Sequence, residues 1–170
     1  MSASLVYVNK AVADGSSATL KVTGIDSDDV YLVNLFGIMT NNSNETINMR
    51  VTKSGTADST TNYDRAYINL SSISAVAGRQ YVDGTGSRIF ENVWNLYGGG
   101  AGFMYLYNYN NSSEYSFWTL DLPSTVSNQL AGQVGGGMHT VASASDGIEI
   151  YGSLSGTFQS GASLYLYKLV

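Results

Sequence analysis

The sequence predicts an all-β fold, an antiparallel β-sandwich of jelly-roll type with about eight to ten strands, in a single domain over residues 1–170. Three observations point to it. Apolar and polar residues alternate with a period of two in several segments. Clusters of Gly, Asn, Asp and Ser separate those segments at short intervals. Helical periodicity is nearly absent.

Residues Leu5–Val12 open the chain as a strand. Residues 18–23 and 47–52 alternate cleanly, which places Leu20, Val22, Ile47, Met49 and Val51 on buried faces. Residues 30–39 are apolar at nearly every position, as expected of a central strand covered on both sides. In 103–109 and 164–167 aromatic residues alternate with aliphatic ones, so both faces are again apolar. Residues 116–122 and 148–154 supply further strands. Turns are expected at Asp14-Gly15, Asp26-Ser27-Asp28-Asp29, Asn41-Asn42-Ser43-Asn44, Ser54-Gly55, Asp83-Gly84 and Asp146-Gly147. Residues 71–77 and 123–130 are candidate helical turns. Residues 56–62 and 79–88 read as long loops between sheets. The glycine runs 98–102 and 135–137 read as loops, without the Lys-Ser/Thr and following helix of a phosphate loop.

Hydrophobic residues make up 44% of the chain, enough to build a core, while charged residues make up only 12%. Solubility then rests on Ser, Thr, Asn and Gly, a surface suited to packing against other subunits. The net charge is -5, and the eight Lys and Arg are scattered along the sequence. No nucleic-acid partner is expected without a basic stripe, and the same scarcity argues against docking on anionic lipid. The segments 92–113 and 122–145 lack charge, but glycines and amides interrupt them, so neither reads as a membrane span. No secretory signal is expected in residues 1–10. Cysteine is absent, which excludes disulfides and thiolate metal sites.

Chemistry finds little to stand on. A Ser-His-Asp arrangement would need His139, the single histidine, and no serine sits in a nucleophile elbow. No carboxylate pair stands out for glycoside hydrolysis. The expectation is a protein with no catalytic residue and no cofactor, in which His139 is a strand or loop residue with a satisfied imidazole. The turn holding Asp26, Asp28 and Asp29 offers oxygens to a hard cation, but an Asx turn accounts for it without metal, and both alternatives stand. The aromatic residues are more informative. Tyr105, Tyr107, Tyr109 and Tyr115 gather around Asn108, Asn110 and Asn111. Alternate tyrosines on one strand share a face, and a ring with a polar tip suits a subunit interface or sugar stacking. These four are the candidate partner or glycan surface, unless that face forms half of the sandwich core.

An ordered set of segments carries a resemblance. Thr23-Gly24-Ile25-Asp26-Ser27 leads into Val30-Tyr31-Leu32-Val33-Asn34-Leu35-Phe36-Gly37-Ile38. Ile47-Asn48-Met49-Arg50-Val51 follows, then a polar loop and Tyr63-Asp64-Arg65-Ala66-Tyr67. The chain closes with Asp146-Gly147-Ile148-Glu149-Ile150, Gly156-Thr157-Phe158-Gln159-Ser160-Gly161 and Leu164-Tyr165-Leu166-Tyr167-Lys168. In this order the chain resembles small β-sandwich virion structural proteins of tailed bacteriophages, of the marine and cyanobacterial phage type. It departs from them at its end, where Tyr167 and Lys168 continue the strand in place of the Leu-Tyr-Gly on which the family often closes. The resemblance implies a non-enzymatic structural protein on the exterior of the phage particle, tail-associated or a capsid decoration. Its implied partners are other virion proteins and copies of itself in a homo-oligomer. A carbohydrate-binding module for host-surface glycans is the alternative.

Overall fold

The computed structural model describes residues 4–72, 74, 77–93 and 98–170. These form strands β1 (Leu5–Val12), β2 (Thr19–Thr23), β3 (Tyr31–Ile38), β4 (Glu45–Lys53), β5 (Thr56–Ala57), β6 (Tyr63–Ser71) and β7 (Ala77–Gly84). Then come β8 (Ser87–Val93), β9 (Gly100–Tyr107), β10 (Ser116–Val126), β11 (Gln129–His139), β12 (Gly147–Gly152) and β13 (Ser163–Leu169). There is no helix among the described residues.

Two antiparallel sheets face each other. The larger runs β1-β13-β3-β9-β10-β11-β6-β7, and the smaller runs β2-β12-β4-β5, with β8 also paired to β4. Eight strands pair as a long hairpin rolled upon itself: β1 with β13, β2 with β12, β3 with β9, and β4 with β8. That nesting is the jelly-roll pattern. The pairs β6-β7 and β10-β11 are insertions that extend the large sheet beyond β9. The period-two pattern sends Val33, Leu35, Met104, Leu106, Trp118, Leu164 and Leu166 inward from the large sheet. Leu20, Val22, Ile47, Met49, Val51, Ile148 and Ile150 meet them from the small one.

The strand total exceeds the expected eight to ten because segments expected to be loops or turns are strands. Residues 79–88 are mostly β7 and the start of β8, and 56–57 form β5. The candidate helical turn at 123–130 is a β-hairpin: Ser127 and Asn128 take φ of 48° and 69°, a two-residue turn whose twist matches the flanking strands. Of the other candidate helical turn, residues 73, 75 and 76 lie outside the described residues, and Ser71 and Ala77 belong to strands. Gly135-Gly136-Gly137 lies within β11 rather than in a loop. Glycine is needed there because neighbouring atoms press close: a Cβ on Gly137 would sit 2.5 Å from Trp118 Cζ2. The strand over 30–39 is central as expected, but its outer face is covered only in part, at Leu32. Phe36 on the outer face is 50% exposed.

A buried carboxylate fastens one end of the sandwich. Glu45, at the start of β4, accepts hydrogen bonds from Thr40 Oγ1 at 2.5 Å and from Leu154 N at 2.6 Å. It also accepts a longer one from Gly156 N at 3.4 Å. These contacts tie the β12-β13 connection to β4, and the glycines at 152 and 156 leave room for the carboxylate. Glu45→Ala strips the acceptor from several buried donors, so it is expected to cost about 3 kcal/mol. Urea unfolding checks this; a loss under about 1 kcal/mol would contradict the role given to Glu45.

Candidate functional site

The outer face of the large sheet is built by the same alternation that builds the core. Where Met104 and Leu106 point in, Phe103, Tyr105 and Tyr107 point out; where Leu164 and Leu166 point in, Tyr165 and Tyr167 point out. Strand pairing aligns these residues in rows. Tyr7 lies opposite Tyr167, which lies opposite Leu32, then Tyr105, then Thr119. The next row runs Lys10, Tyr165, Asn34, Phe103, Asp121. Tyr107 faces Phe117 across β9 and β10.

Three ring pairs lock this face edge-on. Tyr7 and Tyr167 have centroids 6.0 Å apart at 72°, Phe36 and Tyr165 5.8 Å at 80°, and Phe103 and Tyr105 5.8 Å at 73°. The positive ring edge meets the negative ring face in each, which restricts the side chains before any partner arrives. In these rows, from β1 to β10, charge comes only from Lys10 and Asp121. Beyond β10 the rings give way to Gly136 and Ala66, leaving a shallow depression of about 920 Å³ beside Phe117 and Met138.

Of the four tyrosines singled out in sequence, Tyr105 and Tyr107 lie side by side on this face, half-buried. Tyr115, 44% exposed, adjoins it beside Phe117. Tyr109 does not belong to it. Asn108 takes a φ of 57°, which ends the strand alternation, and Tyr109 turns fully into the core. Burial pushes its hydroxyl pKa well up. Sequence reasoning missed Tyr7, Phe36, Phe103, Phe117, Tyr165 and Tyr167 as surface residues. The signal was present in the two-sided apolar strands, but it was assigned to a face covered on both sides.

The acidic turn meets its counter-charge from within the chain. Lys168 Nζ, from β13, lies 2.7 Å from Asp29 Oδ2 and 2.7 Å from Ser27 Oγ, and 4.0 Å from Asp26 Oδ1. Asn111 donates to Asp28 at 3.1 Å. No group of three or more His, Asp or Glu stands ready to share a metal ion among the described residues.

His139 closes β11 with its side chain wholly buried, beside the Tyr63 ring at 5.0 Å. Its Nε2 is 3.3 Å from Asp58 Oδ2, yet neither ring nitrogen has an aligned hydrogen-bond partner, contrary to the satisfied imidazole expected. Burial lowers the His139 pKa, the Lys53 charge lowers it further, and Asp58 opposes both. Asp58 is itself held ionised, its pKa pulled down by bonds from Lys53 and Thr60 against the effect of burial.

Searches against protein-family models, curated proteins and solved structures return no match to this chain.

The folded pKa of His139 lies below its ordinary value of 6.5, so below that pH the unfolded chain binds the extra proton. The stability held by neutral His139 is therefore complete above about pH 6.5 and is lost as pH falls toward the folded pKa. Unfolding free energy should fall as pH is lowered below about 6.5, with a slope from this one group no steeper than about 1.4 kcal/mol per pH unit. In His139→Asn that slope should largely vanish, as urea melts at pH 7.5, 6 and 5 will reveal.

Proposed function

We propose that this chain is a non-enzymatic structural protein of a tailed-phage virion, which docks on the particle exterior through the outer face of its eight-stranded sheet. The ordered segments quoted above support the virion assignment. The aromatic face itself is the observation that carries the docking role. Its rings are already restricted by edge-to-face pairing, so less side-chain freedom is lost when a partner covers them. Tyrosines supply apolar area together with a hydroxyl that can pair with an amide across an interface. Few charges have to be desolvated. Copies of this chain and neighbouring virion proteins are the partners, and assembly of copies follows a closed symmetry.

Two tyrosines two residues apart test the reading. Tyr107→Ala should cost the isolated fold about 1 kcal/mol or less, because Tyr107 is on the open face. It should nevertheless weaken self-association and co-sedimentation with particles. Tyr109→Ala should cost about 3–5 kcal/mol of fold stability, as loss of a buried aromatic ring does. A Tyr107→Ala protein that assembles as the parent does would sink the docking surface. An isolated chain that neither self-associates nor is found in purified particles by mass spectrometry would sink the virion assignment. A saturable glycan-array signal lost with Tyr105→Ala would favour the carbohydrate-binding module instead.

A further inference from the structure

The fold gathers what the sequence scatters. The chain has only four arginines, Arg50, Arg65, Arg79 and Arg88, and three of them meet at one seam between the two sheets. There the β7-β8 turn crosses a cavity of about 270 Å³, with Arg65 and Tyr81 on one side and Arg88 and Tyr151 on the other. Arg50 stands at its margin: its Nε donates to Thr85 O at 2.8 Å, and its guanidinium lies over the Tyr151 ring at 4.2 Å.

Two of these guanidiniums, those of Arg50 and Arg65, are positioned without an ion-pair partner. Arg65 is stacked against Tyr81 at 4.6 Å and reaches Tyr67 at 5.9 Å, and it donates through Nη1 to Gly86 O at 3.4 Å. Among the described residues, neither Arg50 nor Arg65 has a carboxylate within 4.0 Å. Arg88 does, in Glu91 at 2.5 Å. The Nε atoms of both Arg65 and Arg88 are nonetheless buried and without a hydrogen-bond partner. Burial, opposed by Tyr67, lowers the Arg65 pKa, and the charge of Arg88, which lines the same cavity, adds to it. Other charges around the seam are Asp83 at the cavity wall and Glu149, opposite Arg50 in the strand pairing.

Two guanidiniums lining one cavity, each with a buried Nε–H that has no partner, in a chain of net charge -5, need a reason. From this arrangement we infer that the seam is a binding site for a compact oxyanion, the carboxylate or sulfate group of a small ligand. A guanidinium offers such a group two parallel N–H bonds. The cavity falls just under the range of about 300–1,000 Å³ that holds drug-sized molecules, which suits a small acid. Stacking on tyrosines keeps the forks oriented while the site is empty. The inference is independent of the docking role, because the seam lies between the sheets and the aromatic face lies on the outside of one.

The four arginine Nε–H resonances of the full chain provide the test. Sodium sulfate is titrated in, with sodium chloride adjusted to hold ionic strength constant. The Arg50, Arg65 and Arg88 signals should shift and saturate together, while Arg79 stays still. Sodium glucuronate should compete for the same site, and the tighter of the two tells whether a tetrahedral or a planar oxyanion is preferred. Arg65→Lys keeps the charge and the aliphatic stem but loses the fork, so affinity should fall about tenfold or more. Arg79→Lys should leave it unchanged. Equal, non-saturating shifts at all four arginines, or an Arg65→Lys protein that binds sulfate as the parent does, would overturn the site.

Discussion

Pairing between the two ends of the chain is the constraint on which the rest of this structure depends. β1 can complete its hydrogen bonds only when β13 arrives, and β2 is likewise paired with β12. Each outer pair encloses the pairs inside it, so the sandwich closes as a rolled hairpin and not strand by strand. Such long-range pairing carries a loop-closure cost before any contact is gained, which is why all-β topologies of this kind fold slowly. Once closed, the roll fixes which side of every strand meets the core. The aromatic face, the buried Glu45 clamp and the arginine seam are all consequences of that one register.

What the sequence revealed was the period, and what it hid was the environment. Leu20, Val22, Ile47, Met49 and Val51 are buried as their alternation required. The strands over 103–109 and 164–167 were visible as apolar on both sides, but periodicity does not tell a covered face from an open one. Tyr109 could not be separated from Tyr105 and Tyr107 by spacing, because the change of direction comes from a left-handed residue at Asn108. β11 was hidden by its glycines. They mark loops in isolation, yet here they let the backbones and the Trp118 ring approach closely. The arginine seam was illegible for a different reason. Arg50, Arg65 and Arg88 come from three strands, and only tertiary packing brings them together.

The molecule separates two kinds of surface chemistry. On the outside of the large sheet it displays rings with little charge, an arrangement that gains from being covered. At the seam it holds positive charge with little apolar area, an arrangement that gains from a counter-ion. Tyrosine serves both, since the same residue type packs edge to face on the outer sheet and backs guanidiniums at the seam. In a chain with only 12% charged residues, these tyrosine contacts supplement a small set of charge pairs.

An eight-stranded sheet left open at both margins offers unpaired backbone groups to any other extended chain. Here each margin is interrupted. In β1 the pairing with β13 skips Val8 between Tyr7 and Asn9, and in β7 the pairing with β6 slips between Tyr81 and Gly84, where Asp83 takes a φ of 54°. A bulge twists the strand and breaks the even ladder that a second strand would need to zip along. A second copy of the sheet is thereby hindered from adding edge to edge into an endless ribbon, and any contact this sheet makes falls to its side chains, whose arrangement can specify a finite neighbour.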